Sequence, residues 1–200
     1  MSFEDNIRKV IPYTPGEQPH RDNIIKLNTN ENPYPPSPRV KEALNSFDTD
    51  KLRLYPDPTI GSLKEALSKR YGVKKENVFC GVGSDDVLAM SFMTFFNGKK
   101  NILFPDITYS FYDVWAGVFR IPYETKPLKE DFTIDPEDYF KENGGIVLPN
   151  PNAPTGITEG VKLYEDIIKQ NPDSVVIIDE AYVDFGAESV LPLIDKYENL

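Results

Sequence analysis

Cysteine and histidine are almost absent from this 200-residue chain, which contains one of each, Cys80 and His20. A single cysteine cannot form an intramolecular disulfide, which fits a reducing compartment. A zinc site built from histidine and cysteine would lack ligands. Ser-His-Asp or Cys-His catalysis would have to recruit His20 from a proline-rich segment, although it needs a rigidly positioned base. The sequence therefore predicts neither a metal site nor a hydrolytic triad.

Positive charge is also scarce, since 22 Lys and Arg residues face 32 Asp and Glu residues, for a formal net charge of -10. Binding to a nucleic-acid backbone depends on clustered basic side chains, so nucleic acid is not expected as a partner. No apolar run approaches the roughly 20 residues of a spanning helix, and the N-terminus MSFEDNIRKV lacks the apolar core of a signal peptide. The expectation is a cytoplasmic protein with no membrane partner.

The N-terminal region lacks a regular pattern of helices and strands. It has proline at positions 12, 15, 19, 33, 35, 36 and 38. Such a segment cannot form a regular helix or a central strand, and an extended arm is predicted. Beyond Ser37, hydrophobic spacing predicts helices at 40–47, 63–71, 84–96, 107–119 and 161–168. Strands are predicted at 77–80, 101–104, 145–148 and 175–178. This alternation predicts an α/β fold, a mainly parallel sheet with helices on both faces.

Unusual residues follow each predicted strand, in the segments GVGSDD (81–86), PDITY (105–109), PNPNAPTG (149–156) and DEAY (179–182). In a parallel sheet these four loops emerge at the carboxyl edge, where open α/β sheets bind their ligands. The sequence therefore predicts one crevice lined by a Gly-Ser turn, a tyrosine, an asparagine and an aspartate. Asp179 follows the apolar run VVII, so a lone charge there would require a cationic partner.

Each segment also has a plainer interpretation. GVGSDD suits a phosphate at a helix N-terminus, but taken alone it favours a tight turn in which Ser84 caps the helix. It lacks the third glycine of a dinucleotide fingerprint, and no Gly-Lys-Ser or Gly-Lys-Thr loop accompanies VVIIDE as a nucleotide hydrolase would require. PNPNAPTG can be a proline-rich turn.

Six segments in the same order resemble the landmarks of the fold-type I pyridoxal-phosphate-dependent aminotransferases. They are LNTNENPYPPSP (27–38), RLYPDP (53–58), GVGSDD (81–86), ITYSFY (107–112), PNPNAPTG (149–156) and IIDEAYVDF (178–185). The resemblance implies the aspartate-aminotransferase-like large domain at 51–200, incomplete at its end. It implies an N-terminal arm and the first helix of a small domain at 1–50.

The resemblance also assigns site residues around pyridoxal 5'-phosphate. Asp179 would keep the pyridine nitrogen protonated, Tyr182 would donate to the phenolic oxygen, and Tyr109 would stack on the ring. Asn152 would bind the same oxygen, although much of the superfamily has asparagine directly before Pro-Thr-Gly, where this chain has Ala153. The remaining positions are Gly83, Ser84 and Asp85 at the phosphate, Tyr55 from the partner subunit of a homodimer, and Tyr13, Asn30, Glu31 and Asn32 on the substrate side.

A Schiff-base lysine in a Ser-Lys segment after IDEAY is part of the family pattern, and the 200 residues contain no such segment there. Ser68-Lys69 lies instead in a predicted amphipathic helix, where a surface lysine is expected. The substrate-binding arginines are likewise expected beyond residue 200. The expectation is thus the N-terminal part of an enzyme, inactive by itself.

The reaction implied by the resemblance moves an amino group between glutamate and imidazole-acetol phosphate, giving histidinol phosphate in histidine biosynthesis. Two alternatives on the same scaffold are a threonine-phosphate decarboxylase and an aromatic aminotransferase. A more distant alternative is a non-catalytic nucleotide-binding module that uses GVGSDD and VVIIDE.

Overall fold

The computed structural model describes residues 2–10, 16–17 and 23–200, so Tyr13 and His20 lie outside the described residues. The described residues form two compact units. One comprises 2–10 and 81–200, and the other comprises 16–17 and 23–80. The division predicted at residue 50 falls inside the second unit and stays a prediction. None of the described helices is long and apolar enough to cross a membrane.

The unit that contains residues 23–80 has two α-helices, α1 (Pro38–Asn45) and α2 (Gly61–Tyr71), at the positions that hydrophobic spacing predicts. Pro38 occupies the first turn of α1, where its missing N–H leaves no bond unmade. Gly72 ends α2 with a φ of 70°, a left-handed conformation that glycine adopts without strain. The strand predicted at 77–80 is wrong. The first residue of this segment, Asn77, belongs to a 3-10 turn (Lys75–Asn77). The described part of this unit contains no strand with which the segment could pair.

The other unit is built on a four-stranded parallel sheet in the order β2-β1-β3-β4. Its strands are β1 (Ile102–Pro105), β2 (Tyr123–Lys126), β3 (Ile146–Pro149) and β4 (Val176–Asp179). Three match the predicted strands within one residue. Strand β2 was not predicted, because YETK is short and half-polar. It lies at an edge of the sheet and, among the described strands, pairs only with β1.

Helices cover both faces of this sheet, which confirms the predicted fold class. They are α3 (Ser84–Phe95), α4 (Phe111–Phe119) and α5 (Val161–Gln170). Side chains of α3 and α4 pack with Ile102, Phe104 and Val147, whereas those of α5 pack with neighbours in the same strands that point the other way, Leu103, Ile146 and Leu148. Because successive side chains of each strand point to opposite faces of the sheet, the core has one half on each face.

Strand β1 is where the chain changes direction across the sheet. From β1 the chain passes through α4 to β2 on one side, and it then crosses to β3, α5 and β4 on the other side. The loops at the carboxyl ends of β1 and β3 consequently lead to opposite sides of the sheet. Such a switch point opens a crevice, and ligands of open α/β sheets bind there.

A pH-dependent contribution to stability is expected from Glu124 on β2. Hydrogen bonds from Lys126 and Lys141 lower the pKa of Glu124 from its ordinary 4.5 to about 2. A carboxyl group with a depressed native pKa stabilises the fold above its unfolded pKa, and this contribution is lost as pH falls through the native pKa. Glu124→Gln should therefore lower the midpoint of urea unfolding at pH 7, with the deficit shrinking between pH 4.5 and 2. The exposed Glu130→Gln serves as control, and an equal deficit at all pH values would contradict the assignment.

Candidate functional site

A pocket lies at the carboxyl edge of the sheet, next to the switch point between β1 and β3, and the ends of β3 and β4 contribute to it. Its lining comes from the first turn of α3, the loop after β1, the start of α4, the loop after β3 and the end of β4. The lining residues are Ser84, Tyr109, Tyr112, Pro149, Pro151, Ala153, Asp179, Ala181 and Tyr182. The structure thus brings together four residues that the sequence singles out: Ser84, Tyr109, Asp179 and Tyr182.

Asp179 is the last residue of β4 and presents a half-buried carboxylate to the pocket. Its Oδ2 accepts a hydrogen bond of 2.8 Å from the Tyr112 hydroxyl, and its Oδ1 accepts one of 3.1 Å from the Ala181 backbone N–H. Both donors are neutral. Within the described residues no Lys or Arg side chain lines the pocket or forms an ion pair with Asp179. The carboxylate is therefore oriented but not neutralised, and it can pair with a cationic group of a ligand.

Tyr109 forms an aromatic wall of the pocket and is fixed by Asp85. Its hydroxyl donates to Asp85 Oδ1 at 2.9 Å, and its ring packs edge-on against Tyr112 with centroids 5.8 Å apart. Burial, followed by the hydrogen bond to Asp85, raises the pKa of Tyr109 well above its ordinary value. The phenol therefore stays protonated at neutral pH and holds the ring in one place. The side chain of Asp85 is occupied by this contact.

The first turn of α3 presents backbone N–H groups beside this wall. Gly83 is the N-cap residue, with a φ of 89°, and no side chain among the described residues caps the helix. Ser84 is the first helical residue, so the alternative interpretation of Ser84 as the cap is wrong. An uncapped N-terminus leaves N–H donors and the positive end of the helix dipole available to an anion.

Asn152 lies behind the pocket wall and joins two of its loops. Its side-chain amide donates to the Ile107 carbonyl at 2.9 Å and accepts from the Thr108 hydroxyl at 3.0 Å. The side chain is buried, and the residue's backbone is bonded to Ile157 and Gly156. Asn152 therefore ties the loop after β3 to the loop after β1. The predicted role of Asn152 as a ligand of the cofactor stays a prediction.

Glu180 has a different environment from its neighbour Asp179. Its Oε1 accepts hydrogen bonds from Asn150 Nδ2 at 3.1 Å and from the Val190 backbone at 2.7 Å. Its Oε2 accepts from the Ser189 hydroxyl at 2.6 Å. These contacts hold the segment after β4 against the end of β3. Of the two adjacent acids, one faces the pocket and the other has a structural role.

Four predicted site residues belong to the other unit, and a fifth is not described. Tyr55, Asn30, Glu31 and Asn32 belong to the unit that contains 23–80, and Tyr13 lies outside the described residues. The Tyr55 side chain is fully exposed. Glu31 pairs with Lys26 at 2.6 Å, and Asn32 accepts from the Tyr34 backbone at 2.9 Å. Their predicted roles at the phosphate and the substrate stay predictions.

Tyr112 and Thr108 are the two site residues that sequence reasoning missed. Helix α4 was expected from residue 107, but it begins at Phe111, because residues 107–110 form the loop that Asn152 anchors. A helix that starts late places Tyr109 before its first turn and Tyr112 inside it. The aromatic run ITYSFY is visible in the sequence. The sequence does not show at which residue of this run the helix begins.

Residues 22–200 match the model of the aminotransferase class I and II family, and the chain belongs to this family. The family depends on pyridoxal phosphate. The histidinol-phosphate aminotransferase of Lactococcus lactis subsp. cremoris is 51% identical over 200 residues, which are 100% of this chain and 56% of that protein. Other curated relatives of the same name share 50 to 56% identity. The chain spans about half the length of the curated relatives that it matches.

Two solved structures show the same fold. Histidinol-phosphate aminotransferase from Sinorhizobium meliloti, in complex with pyridoxal-5'-phosphate, matches with a TM-score of 0.68 and 21% identity, over 74% of this chain and 42% of that one. L-threonine-O-3-phosphate decarboxylase from Porphyromonas gingivalis matches with a TM-score of 0.67 and 22% identity, over 80% of this chain and 50% of that one. At such identities the likeness concerns the fold alone.

Proposed function

We propose that a full-length protein containing this chain is a pyridoxal-phosphate-dependent aminotransferase that converts imidazole-acetol phosphate and glutamate into histidinol phosphate and 2-oxoglutarate. The observation that carries the proposal is the pocket itself. It combines a carboxylate and a helix N-terminus that have, among the described residues, no ion pair and no side-chain cap, respectively, with a fixed aromatic wall. Family membership and relatives at 50 to 56% identity support the same reaction.

The side chains at the pocket fit the chemical groups of pyridoxal phosphate. Asp179 offers the pyridine nitrogen a carboxylate that has two neutral donors and no ion pair among the described residues. The first turn of α3, at Gly83, Ser84 and Asp85, offers the phosphate backbone N–H groups. Tyr109 offers a flat face to the ring. We assign Tyr182, which lines the pocket, and Asn152 to the phenolic oxygen.

When bound, pyridoxal phosphate supplies an electron sink for the carbon that carries the amino group. The task of Asp179 is to hold a proton on the pyridine nitrogen, because the sink is strong only in that state. The task of Tyr109 is to fix the ring plane. The proposal assigns covalent attachment to a lysine, and substrate binding to arginines, in the part of the relatives' length that this chain does not span.

A homodimer is part of the proposal, with Tyr55 of one subunit reaching the phosphate of the other. Large apolar side chains of the unit that contains 23–80 are strongly exposed, among them Leu27 at 82%, Tyr34 at 80% and Tyr55 at 100%. We propose that these side chains contact the partner subunit, as contiguous exposed apolar patches do at protein–protein interfaces. Asn30, Glu31, Asn32 and Tyr13 are proposed to face the substrate from the N-terminal arm. The proposal places the enzyme in the cytoplasm, in agreement with a single cysteine.

A threonine-phosphate decarboxylase is the second candidate, because a decarboxylase of that kind shares the fold at a TM-score of 0.67. The purified full-length protein should be offered histidinol phosphate, threonine phosphate and phenylalanine, each with 2-oxoglutarate. We expect kcat/KM for histidinol phosphate to exceed the other two by about 100-fold, a margin that polar recognition of a substrate readily provides. Glutamate formation and carbon dioxide release are the two readouts. Faster turnover of threonine phosphate with release of carbon dioxide would overturn the substrate assignment.

The candidate from another class is a nucleotide-binding module, and membership in a family that depends on pyridoxal phosphate argues against it. Titration of the same protein with pyridoxal phosphate and with ATP and magnesium separates the two. The proposal expects a coloured, saturable complex with the former only. Binding of ATP without binding of pyridoxal phosphate would overturn the enzyme assignment itself.

A further inference from the structure

The hydroxyl group of Tyr112 is held at one point of the pocket wall by its aromatic neighbours. The side chain is fully buried in the first turn of α4. Its ring packs against Phe92 at 6.4 Å, Phe104 at 5.8 Å and Tyr109 at 5.8 Å, measured between centroids. These three contacts come from α3, β1 and the loop after β1, so a different side-chain rotamer would require these elements to move. The hydroxyl therefore has a fixed position, 2.8 Å from Asp179 Oδ2.

We propose that Tyr112 is a positioning residue, which fixes the plane of the Asp179 carboxylate so that its free lone pairs face the pyridine nitrogen of the cofactor. This inference rests on the proposed function. The Ala181 backbone N–H binds Oδ1 and the Tyr112 hydroxyl binds Oδ2, so each oxygen has one fixed donor. A carboxylate restrained at both oxygens cannot rotate, and the remaining lone pairs keep one direction.

The protonation state of Tyr112 makes it a constant donor. Burial, followed by the charge of Asp179, raises the pKa of Tyr112 far above its ordinary value. The hydroxyl consequently keeps its proton throughout the range in which enzymes of this class work. Hydrogen bonds to charged groups are about twice as strong as those between neutral groups, so the contact restrains the carboxylate effectively.

Two other buried tyrosines provide matched controls. Tyr164 donates to the Pro149 backbone carbonyl at 2.9 Å, and the Tyr139 hydroxyl has no hydrogen-bond partner among the described residues. Replacement of each by phenylalanine removes one buried oxygen atom and leaves the ring in place. Tyr164→Phe reports the general effect of losing a buried hydrogen bond. Tyr139→Phe reports the effect of losing the oxygen alone.

The test compares Tyr112→Phe with both controls in the full-length protein loaded with pyridoxal phosphate labelled with ¹⁵N at the ring nitrogen. The ¹⁵N chemical shift reports whether the ring nitrogen is protonated, independently of turnover. We expect Tyr112→Phe to shift this signal toward the value of the unprotonated ring and to lower kcat by about 10-fold, as loss of a hydrogen bond to a charged group does. KM should stay within about twofold, because the substrate does not touch Tyr112 in this proposal.

Unchanged ¹⁵N shift and kcat in Tyr112→Phe, or equal changes in Tyr164→Phe, would overturn the positioning role. Equal thermal unfolding midpoints of Tyr112→Phe and Tyr164→Phe show that the two variants are folded to the same extent. Failure of the proposed function has a different signature, because the wild-type protein would then bind no labelled cofactor at all. In that case Tyr112 has no positioning role toward the cofactor, and the inference is overturned together with the function.

Discussion

Asp179→Ala in the full-length protein is expected to lower turnover by about 100- to 1000-fold, the range found when a preorganised electrostatic group is removed from an active site. In the proposed enzyme Asp179 keeps the pyridine nitrogen protonated, and alanine cannot do so. The pocket offers no described Lys, Arg, Asp or Glu side chain besides Asp179 that could take over. Part of the cofactor should stay bound, because the first turn of α3 contacts the phosphate in the proposal.

A matched control for this experiment is Asp184→Ala. Asp184 is an exposed acid five residues further along the chain, in the 3-10 turn Val183–Phe185, and it does not line the pocket. Its replacement should leave turnover within about twofold, as surface substitutions usually do. Turnover and retained cofactor absorbance are measured for both variants. Near-normal turnover of Asp179→Ala would contradict the assignment of the whole site.

Gly145→Ala is expected to destabilise the fold by about 3 kcal/mol or more, because it combines backbone strain with overpacking, each worth about 1–3 kcal/mol. Gly145 precedes β3 and has a φ of 143°, a backbone angle that residues with a Cβ atom rarely adopt. A Cβ there would lie 2.2 Å from Cε1 of Phe96. Phe96 is buried and packs edge-on against Phe92 with centroids 5.2 Å apart, so its ring has no room to move.

Gly160→Ala provides the control for this prediction. A Cβ at Gly160 would meet no atom within 4 Å, and its φ of -73° suits any residue. Gly160 is the N-cap residue of α5, where alanine is less favourable than glycine, but alanine also lowers the entropy of the unfolded chain, so the replacement should change stability by about 1 kcal/mol or less. Urea unfolding of the full-length protein gives both values. A Gly145→Ala variant as stable as Gly160→Ala would contradict the close packing of Phe96.

Hydrophobic periodicity was sufficient for the central strands of the sheet and for two of the amphipathic helices. Runs such as ILF and IVL are long enough in apolar residues to identify β1 and β3, and amphipathic spacing identifies α2 and α5. Hydrophobic periodicity was insufficient where a segment forms a strand because it pairs with a neighbouring strand, and not because of its composition. YETK became a strand because it lies beside β1, whereas the segment at 77–80 has no strand beside it in the described part of its own unit.

The start of α4 shows the same limit at the site. Spacing alone extends the helix back to residue 107, but Asn152 binds the carbonyl of Ile107 and the hydroxyl of Thr108 from another loop. The helix therefore begins at Phe111. This difference of four residues decides which tyrosine forms the pocket wall and which tyrosine reaches Asp179.

By itself, the sequence determined the α/β fold, the meeting of several loops at one edge of the sheet, and Asp179 as a charge that needs a partner. These follow from local periodicity and from the geometry of parallel strands, which place carboxyl ends together. Only the tertiary structure decided which neighbours the Asp179 carboxylate has. Tyr112 lies 67 residues away in sequence, and the packing of α4 on the sheet brings its hydroxyl within hydrogen-bonding distance. Contacts of that kind depend on how helices pack, which local patterns along the chain do not encode.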